Sequence, residues 1–182
     1  MKKKFCILLA ALLICCAALA ESGSPSPTAG VMMITPTPSA MPLGTVYSSE
    51  ELTVTLPAGL KILDETERAA YDAAAQADYP DAAHTILAAV NADCSAAVHF
   101  AIAEMDMDAA AAAQEAARMI LGSTISVTDV QYGENSYSGF ICAIGEQIYS
   151  LYYLAGEGRM LIIGASGLTE NEISAMLSGL IF

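Results

Sequence analysis

Four strand-like segments follow one another closely in the second half of the chain and constrain its fold more than any other feature. They cover about residues 125 to 132, 137 to 144, 147 to 154 and 159 to 164, with short glycine-containing turns between them. Such short turns join antiparallel strands, because parallel neighbours need a long crossover connection. The pattern therefore predicts an antiparallel four-stranded meander.

The segments before the meander predict further strands and a helix. Residues 52 to 56 alternate between apolar and polar side chains, which predicts a strand. Asp64 and Glu67 have the spacing of a helix N-cap and its partner. Apolar runs at 84 to 90 and 94 to 103 flank a polar turn and predict a hairpin. The chain is therefore expected to combine helices with antiparallel strands.

An acidic, alanine-rich window raises two alternatives, a calcium-binding loop or the start of a helix. Acidic residues occupy the first, third, fifth and twelfth places of residues 104 to 115. A calcium loop requires glycine at the sixth place, where this chain has Ala109. Five consecutive alanines favour a helix, with Asp106 or Asp108 as its N-cap and Leu121 as its last residue. We predict the helix.

The closing segment has the sequence of a capped amphipathic helix. Thr169 and Glu172 form a T-x-x-E capping box, in which each residue satisfies a backbone N–H of the other. Apolar residues follow at helical spacing, namely Ile173, Met176, Leu177 and Leu180.

The strands of the meander are apolar on both faces and therefore require cover on both sides. Ile141 points to one side of its strand, whereas Phe140 and Cys142 point to the other. Helices on both sides of the sheet would bury both sets of side chains. We expect an α+β fold, an α/β/α sandwich with a central antiparallel sheet flanked by helices.

The order of these elements is similar to that of a known family. An L-T-V-T-L-P-A-G-L segment is followed by a long central helix, a tyrosine-rich meander and a closing helix that ends G-L-I-F. Over about residues 50 to 182 the chain resembles the PsbP-like sandwich domains, including their small secreted bacterial relatives. Those domains usually carry Trp after the Pro-x-Gly turn, where this chain has Leu60 and no Trp. The resemblance implies no shared catalytic residues.

The first 20 residues have the organisation of a secretory signal peptide. Three lysines precede an apolar run that ends in an A-x-A cleavage site at Ala20. This run is shorter than the roughly 20 residues that cross a bilayer. We predict that residues 1–20 are removed and that the mature chain is secreted without a transmembrane span. A cell-surface lipid anchor at Cys15 or Cys16 is the alternative, although neither follows the small residue that a lipobox requires.

A linker is predicted between the signal peptide and a single globular α+β domain, residues 45–182. Residues 21–44 are rich in proline, serine and threonine, which favour an extended tether without a core. Val31-Met32-Met33-Ile34 interrupts this tether with four apolar side chains. We interpret the interruption as an apolar patch without structure of its own, and a docking motif is the alternative.

Charge excludes one class of partner. The chain carries a formal charge of −13, and cleavage after residue 20 removes three lysines and no acid, which leaves −16. Nucleic acids and anionic lipids bind clustered lysine and arginine, so we expect no nucleic-acid function.

Two cysteines and three tyrosines are the candidate residues for a disulfide and a partner surface. Cys94 and Cys142 remain after cleavage; an exported protein favours a disulfide between them, and two buried thiols are the alternative. Tyr149, Tyr152 and Tyr153 are candidates for a partner surface, but packing inside the domain is favoured, because tyrosine is common in strands for its own packing. Alternation along a strand points Tyr152 away from the other two.

The histidines give only a weak signal for catalysis. His84 and His99 are the chain's two histidines, and neither lies in a catalytic motif or at a zinc-ligand spacing. We therefore assign no catalytic, cofactor or metal site. The expected function is an exported non-enzymatic domain that binds a protein or cell-envelope partner. The alternative is a hydrolytic or metal-dependent extracellular enzyme that uses His84 or His99.

Overall fold

The computed structural model describes residues 44–78, 83–121, 126–144 and 147–182. The predicted signal peptide and nearly all of the predicted linker lie outside these residues. The helices are α1 (Glu65–Asp78), α2 (Ala109–Leu121) and α3 (Glu170–Ser178). The strands are β1 (Val46–Ser48), β2 (Thr53–Thr55), β3 (Lys61–Ile62), β4 (His84–Val90), β5 (Ala97–Glu104), β6 (Thr128–Tyr132), β7 (Asn135–Ile144), β8 (Gln147–Ala155) and β9 (Arg159–Ser166).

Seven of the strands form one antiparallel sheet. Their order is β3-β4-β5-β9-β8-β7-β6, and every neighbouring pair is antiparallel. The predicted hairpin and the predicted meander are both present, and β9 joins them by pairing with β5. β1 and β2 form a separate two-stranded sheet. The predicted α+β fold with a central antiparallel sheet is therefore confirmed.

The predicted helix caps are also confirmed. The Asp64 and Glu67 side chains each accept the other residue's backbone N–H, at 2.9 and 2.8 Å, before and within the first turn of α1. Thr169 and Glu172 form the same reciprocal pair at α3. Because these bonds satisfy donors that the helix itself leaves free, the local sequence alone determines where both helices begin.

The acidic window before the alanines begins a helix, as predicted. The Asp108 carboxylate accepts the backbone N–H groups of Ala110 and Ala111 at 2.9 and 3.1 Å, and α2 starts at Ala109. Within the described ranges, no group of three or more His, Cys, Asp or Glu side chains could hold a metal ion.

One side of the sheet, which we call the alanine face, carries Tyr149, Tyr153 and Ile162 and is covered by α2. The buried side chains of the helix are all alanine, so its backbone can lie close to the strands, and the larger Met119, Ile120 and Leu121 pack against the cluster while only partly buried. At most 1% of the surface of four of these alanines is exposed: Ala112, Ala113, Ala116 and Ala117.

The opposite side, which we call the α3 face, carries Phe100, Tyr152 and Ile163. The β1–β2 hairpin and α3 cover it jointly, with Leu52, Val54 and Leu56 from the hairpin and Ile173, Met176 and Leu177 from the helix. The Tyr137 hydroxyl donates to the Leu177 carbonyl at 2.9 Å and holds the end of α3 against β7.

A β-bulge in β4 lies where both the β1–β2 hairpin and α1 contact the sheet. The register between β4 and β5 shifts between Thr85 and Leu87, which leaves Ile86 without a direct partner. The Ile86 carbonyl accepts the Tyr47 hydroxyl of β1 at 3.0 Å and also the Arg68 guanidinium of α1. One peptide group thus contacts both the hairpin and α1.

One predicted strand boundary is wrong. β5 begins at Ala97 and not at Cys94, because residues 91 to 96 form a wider turn. The Asn91 side-chain oxygen accepts the Ala96 N–H, and the Asn91 N–H donates to the Ala96 carbonyl, both at 3.0 Å. Cys94 has a positive φ of 58°, which is incompatible with a strand.

Candidate functional site

An open apolar groove of about 500 Å³ lies on the α3 face, between strands β6 to β8 and the beginning of α3. A second concavity of about 350 Å³ continues from it towards the β4–β5 turn. Both are lined by Ile148, Ser150, Leu168 and Ile173, so they form one continuous groove. Pockets of this size and composition are typical binding sites in proteins.

The groove exists because α3 does not cover the whole face. Ile141 and Ile148 point to this side of the sheet, and 65% and 63% of their surfaces are exposed. The sequence predicted that Ile141 would be covered, and that prediction is wrong. The nine-residue α3 packs its apolar side chains on the β2 and β6 side and leaves the adjoining part of β7 and β8 open.

Glycine shapes the floor of the groove. A Cβ atom at Gly139 would lie 2.4 Å from the Leu151 carbonyl oxygen and 2.8 Å from the Tyr152 ring. The missing side chain therefore allows the Tyr152 ring to lie across β7. Gly167 has a similar role where the chain turns towards α3, because its φ is +65° and a Cβ would lie 1.9 Å from the Ser95 carbonyl oxygen.

Three tyrosines form an aromatic wall. Ring centroids of Tyr132, Tyr137 and Tyr152 lie 5.9 to 6.3 Å apart in tilted or edge-to-face arrangements, which favours a rigid cluster. Burial raises the pKa of Tyr137 to about 12 and raises the pKa of Tyr152 further, so both hydroxyls stay neutral at ordinary pH. Tyr132 and Tyr152 line the groove directly.

The polar side chains around the groove are mainly uncharged, and Ser95, Gln147 and Ser166 line its smaller part. Ser126, Thr128 and Ser150 contribute hydroxyl groups, and Glu170 contributes a carboxylate at the start of α3. None of the described residues that line either part of the groove is basic. The site therefore suits an apolar ligand that is neutral or positively charged, and it disfavours an anion.

Of the two alternatives for Tyr149, Tyr152 and Tyr153, packing inside the domain, which the sequence favoured, holds for two of the three. Tyr149 and Tyr153 are each 2% exposed and lie beneath α2 on the alanine face. Tyr152 points to the opposite face, as predicted, and lines the groove with 9% of its surface exposed. The open part of the site consists instead of Ile141 and Ile148, which the sequence did not single out as a pair.

Of the two alternatives that the sequence left open for Cys94 and Cys142, the structure has the free thiols and not the disulfide. Cys142 lies in register with Tyr149, Ser166 and Ala97 on successive strands. Three strand spacings therefore separate it from the β5 end near Cys94, roughly 14 Å. A disulfide requires Cα atoms within about 7 Å. Burial raises the pKa of the Cys142 thiol, which keeps it protonated.

His99 belongs to a buried polar cluster under α1. The Thr85 hydroxyl donates to the Asp72 carboxylate at 2.6 Å, and His99 Nε2 lies 2.8 Å from the same Thr85 oxygen. Because the hydroxyl proton points to Asp72, the histidine donates from Nε2. Its buried Nδ1 has no hydrogen-bond partner among the described residues. Burial lowers the pKa of His99 to about 4, against the opposing charge of Asp72.

This cluster differs from a catalytic triad. In a triad the acid orients the histidine through Nδ1 while Nε2 faces the nucleophile. Here Asp72 bonds to Thr85, and only 6% of His99 is exposed. His84 is exposed at the start of β4, with its Nε2 3.9 Å from a Glu51 carboxylate oxygen. Neither histidine lines the groove.

Comparisons with known proteins do not indicate a function for this chain. No family model matches the chain, and no curated protein matches it. Fifteen chains of known structure match, among them a protein from Bacteroides thetaiotaomicron VPI-5482 at 12% identity and a TM-score of 0.49. The match covers 76% of this chain but 48% of the other, so the chain spans about half of that protein's length. A likeness at this level carries no argument about function.

The described residues contain no helix that is both long enough and apolar enough to cross a membrane.

Proposed function

We propose that the mature protein is an exported, non-enzymatic binding module that takes an apolar segment of a protein or cell-envelope partner into the groove. The observation that carries this proposal is the exposure of Ile141 and Ile148, at 65% and 63%, on the floor of a groove with a tyrosine wall. Contiguous exposed apolar surface of this kind is typical of interaction sites.

The charge distribution supports a particular class of partner. Glu170 is the acidic group at the groove, and the predicted mature chain carries −16 overall. An approaching acidic peptide would be repelled, whereas a neutral or basic one would be attracted. The favoured ligand is therefore an extended segment with two or more apolar side chains and no acidic neighbours.

Export and anchoring remain part of the proposal. The signal-peptide pattern of residues 1–20 supports secretion, and the linker of residues 21–44 would hold the domain away from an attachment point. A lipid anchor is the alternative form of attachment. The PsbP-like resemblance and the α/β/α sandwich are also proposals, supported by α2 on one side of the sheet and α3 on the other, and by the contact of α1 with Thr85 and His99 on the α2 side.

Peptide selection tests the proposal directly. A displayed library of random peptides is selected for binding to the mature chain. Peptides that also bind the Ile148→Asp variant are removed by counter-selection. The matched control is Val46→Asp, because Val46 is a similarly exposed apolar residue, at 62%, on β1 and outside the groove lining. We expect apolar, non-acidic peptides whose affinity falls at least tenfold in Ile148→Asp and is unchanged in Val46→Asp.

Two results would contradict the binding role. Selected peptides that bind both variants equally would place the interaction elsewhere on the protein. Peptides rich in aspartate and glutamate would contradict the charge argument.

A further inference from the structure

We propose that the groove has a resident occupant within the same polypeptide, the apolar linker segment Val31-Met32-Met33-Ile34. This inference rests on the proposed function, because it concerns the same groove and adds a means of regulating it. A partner would then bind by displacing the linker segment.

The segment has the chemistry that the groove favours. It contains four apolar side chains and no charge, and the nearest prolines follow it at positions 36 and 38. Methionine side chains are flexible and adapt to irregular apolar surfaces. An uncharged segment also avoids repulsion by Glu170 at the groove rim.

The first described residue, Gly44, lies on the side of the sheet that carries the groove. Gly44 packs against the backbone of Leu56 so closely that a Cβ atom at position 44 would overlap the Leu56 carbonyl oxygen. The Leu56 N–H also donates to the Thr45 carbonyl at 2.8 Å. Leu56 belongs to the core of the α3 face, so the linker joins the domain on the face that carries the groove.

The linker also joins the domain near the correct end of the strands. A short turn leads from Leu56 to Lys61, which pairs with Val90. Val90 is in register with Ala97, and Ala97 with Ser166. Ser166 lines the groove.

The distance is within reach of the intervening residues. The hairpin contacts β4 through Tyr47, and β7 is four strand spacings from β4, or roughly 19 Å. The nine residues between Ile34 and Gly44 give ten Cα–Cα steps, which can span roughly 33 Å when extended. A segment tethered at this length has an effective concentration on the order of millimolar, so even weak affinity would keep the groove largely occupied.

Isoleucine-methyl NMR on the mature chain tests the proposal. The variant is Met32→Ser with Met33→Ser, and the control is Met41→Ser, which alters the same linker outside the apolar segment. We expect nuclear Overhauser contacts between the methyl groups of Ile34 and Ile148. We also expect the Ile141 and Ile148 signals to shift in the double variant and to stay unchanged in Met41→Ser.

A competition experiment gives a second readout. A synthetic peptide of residues 28–38 should bind the double variant at least tenfold more tightly than the unmodified chain, because the resident segment no longer competes. Equal binding to both proteins, with unshifted Ile148 signals, would overturn self-docking. That result would leave the proposed function intact if the library-selected peptides still bind through Ile148.

Two further outcomes also overturn the inference. Ile148 shifts that grow with protein concentration would mean that a second copy supplies the segment, and intramolecular docking would be wrong. Failure of the 28–38 peptide to bind the double variant would show that the segment does not fit the groove. Only failure of the library peptides as well would remove the binding role itself.

Discussion

The two faces of the central sheet are covered in different ways. On the alanine face, α2 lies close to the strands because its buried side chains are all alanine, and the large buried residues come from the sheet. On the α3 face, a short helix and a hairpin bring their own large side chains and meet the sheet over only part of its area. Close packing therefore seals one face, whereas incomplete cover leaves a groove on the other.

The difference separates residues that stabilise the fold from residues that are available for binding. The polar cluster of Asp72, Thr85 and His99 lies on the sealed side, where Thr85 and His99 are both buried. Ile141 and Ile148 lie on the open side and contribute little to the core. Substitutions on the two faces should therefore have opposite consequences for stability and for binding.

Acidification should produce the largest effect, through the sealed face. The pKa of His99 is about 4 in the folded protein and about 6.5 when unfolded. As the pH falls from 6.5 to 4, the unfolded chain gains a proton that the folded protein excludes. His99 therefore makes the free energy of unfolding fall by roughly 3 kcal/mol over this range. The stability that the neutral histidine contributes is fully present above pH 6.5.

Urea unfolding at pH 7 and pH 4 measures this effect against His99→Gln, whose amide cannot titrate but can still donate to Thr85. Protonation of the carboxylates lowers the free energy of unfolding equally in both proteins. The decrease between pH 7 and pH 4 should therefore be about 3 kcal/mol smaller in His99→Gln than in the unmodified protein. Equal losses would mean that water reaches His99 and that the alanine face is not sealed.

Enlarging a helix side chain on the alanine face should have the next largest effect. Ala113 is fully buried on the side of α2 that faces the sheet, and Ala113→Leu should destabilise the protein by about 2 kcal/mol because the helix must move away from the sheet. Ala111→Leu is the matched control, since Ala111 is exposed on the same helix and should change stability by about 0.5 kcal/mol or less. Equal denaturation midpoints for the two variants would contradict close packing.

Removing the hydroxyl that attaches α3 to β7 should have a smaller effect. Tyr137→Phe removes the side-chain donor to the Leu177 carbonyl, which keeps the Gly179 and Leu180 backbone N–H groups, and we expect a loss of about 1 kcal/mol. Hydrogen exchange should show the increase in opening at the C-terminal end of α3. An equal increase throughout α2 would mean that the two faces unfold together.

The smallest effect on stability should come from the open groove. In the Met32→Ser and Met33→Ser background, where the linker segment no longer docks, Ile148→Ser should change the free energy of unfolding by about 0.5 kcal/mol or less, because most of this side chain is then in water. Ile163→Ser is the control on the same face, fully buried, and should lose several kcal/mol. A comparable loss in Ile148→Ser would show that something covers the groove.

The sequence predicted those parts of the structure that depend on neighbouring residues. The caps at Asp64, Asp108 and Thr169 were all predicted, because each is a bond between residues two or three positions apart. The antiparallel meander was predicted because its turns are too short for any other connection.

The groove could not be predicted because it depends on contacts between distant segments. Alternation in β7 indicates that Ile141 and Phe140 point to opposite sides, but both look equally in need of cover. Phe140 is buried under α2, and Ile141 is exposed because α3 lies elsewhere on the face. The same limitation applied to the cysteines, whose separation follows from the pairing of β5 with β9. The signal that could have been used is the matching pair of isoleucines on adjacent strands.

The bulge at Ile86 has a consequence for how the molecule would respond to force. Its carbonyl accepts hydrogen bonds from Tyr47 in the N-terminal hairpin and from Arg68 in α1. Tension transmitted along the linker would reach the hairpin first, and the Tyr47 bond would pass part of that load to an inner strand of the sheet. A domain held by a stretched tether would therefore yield at this junction before its core strands shear apart.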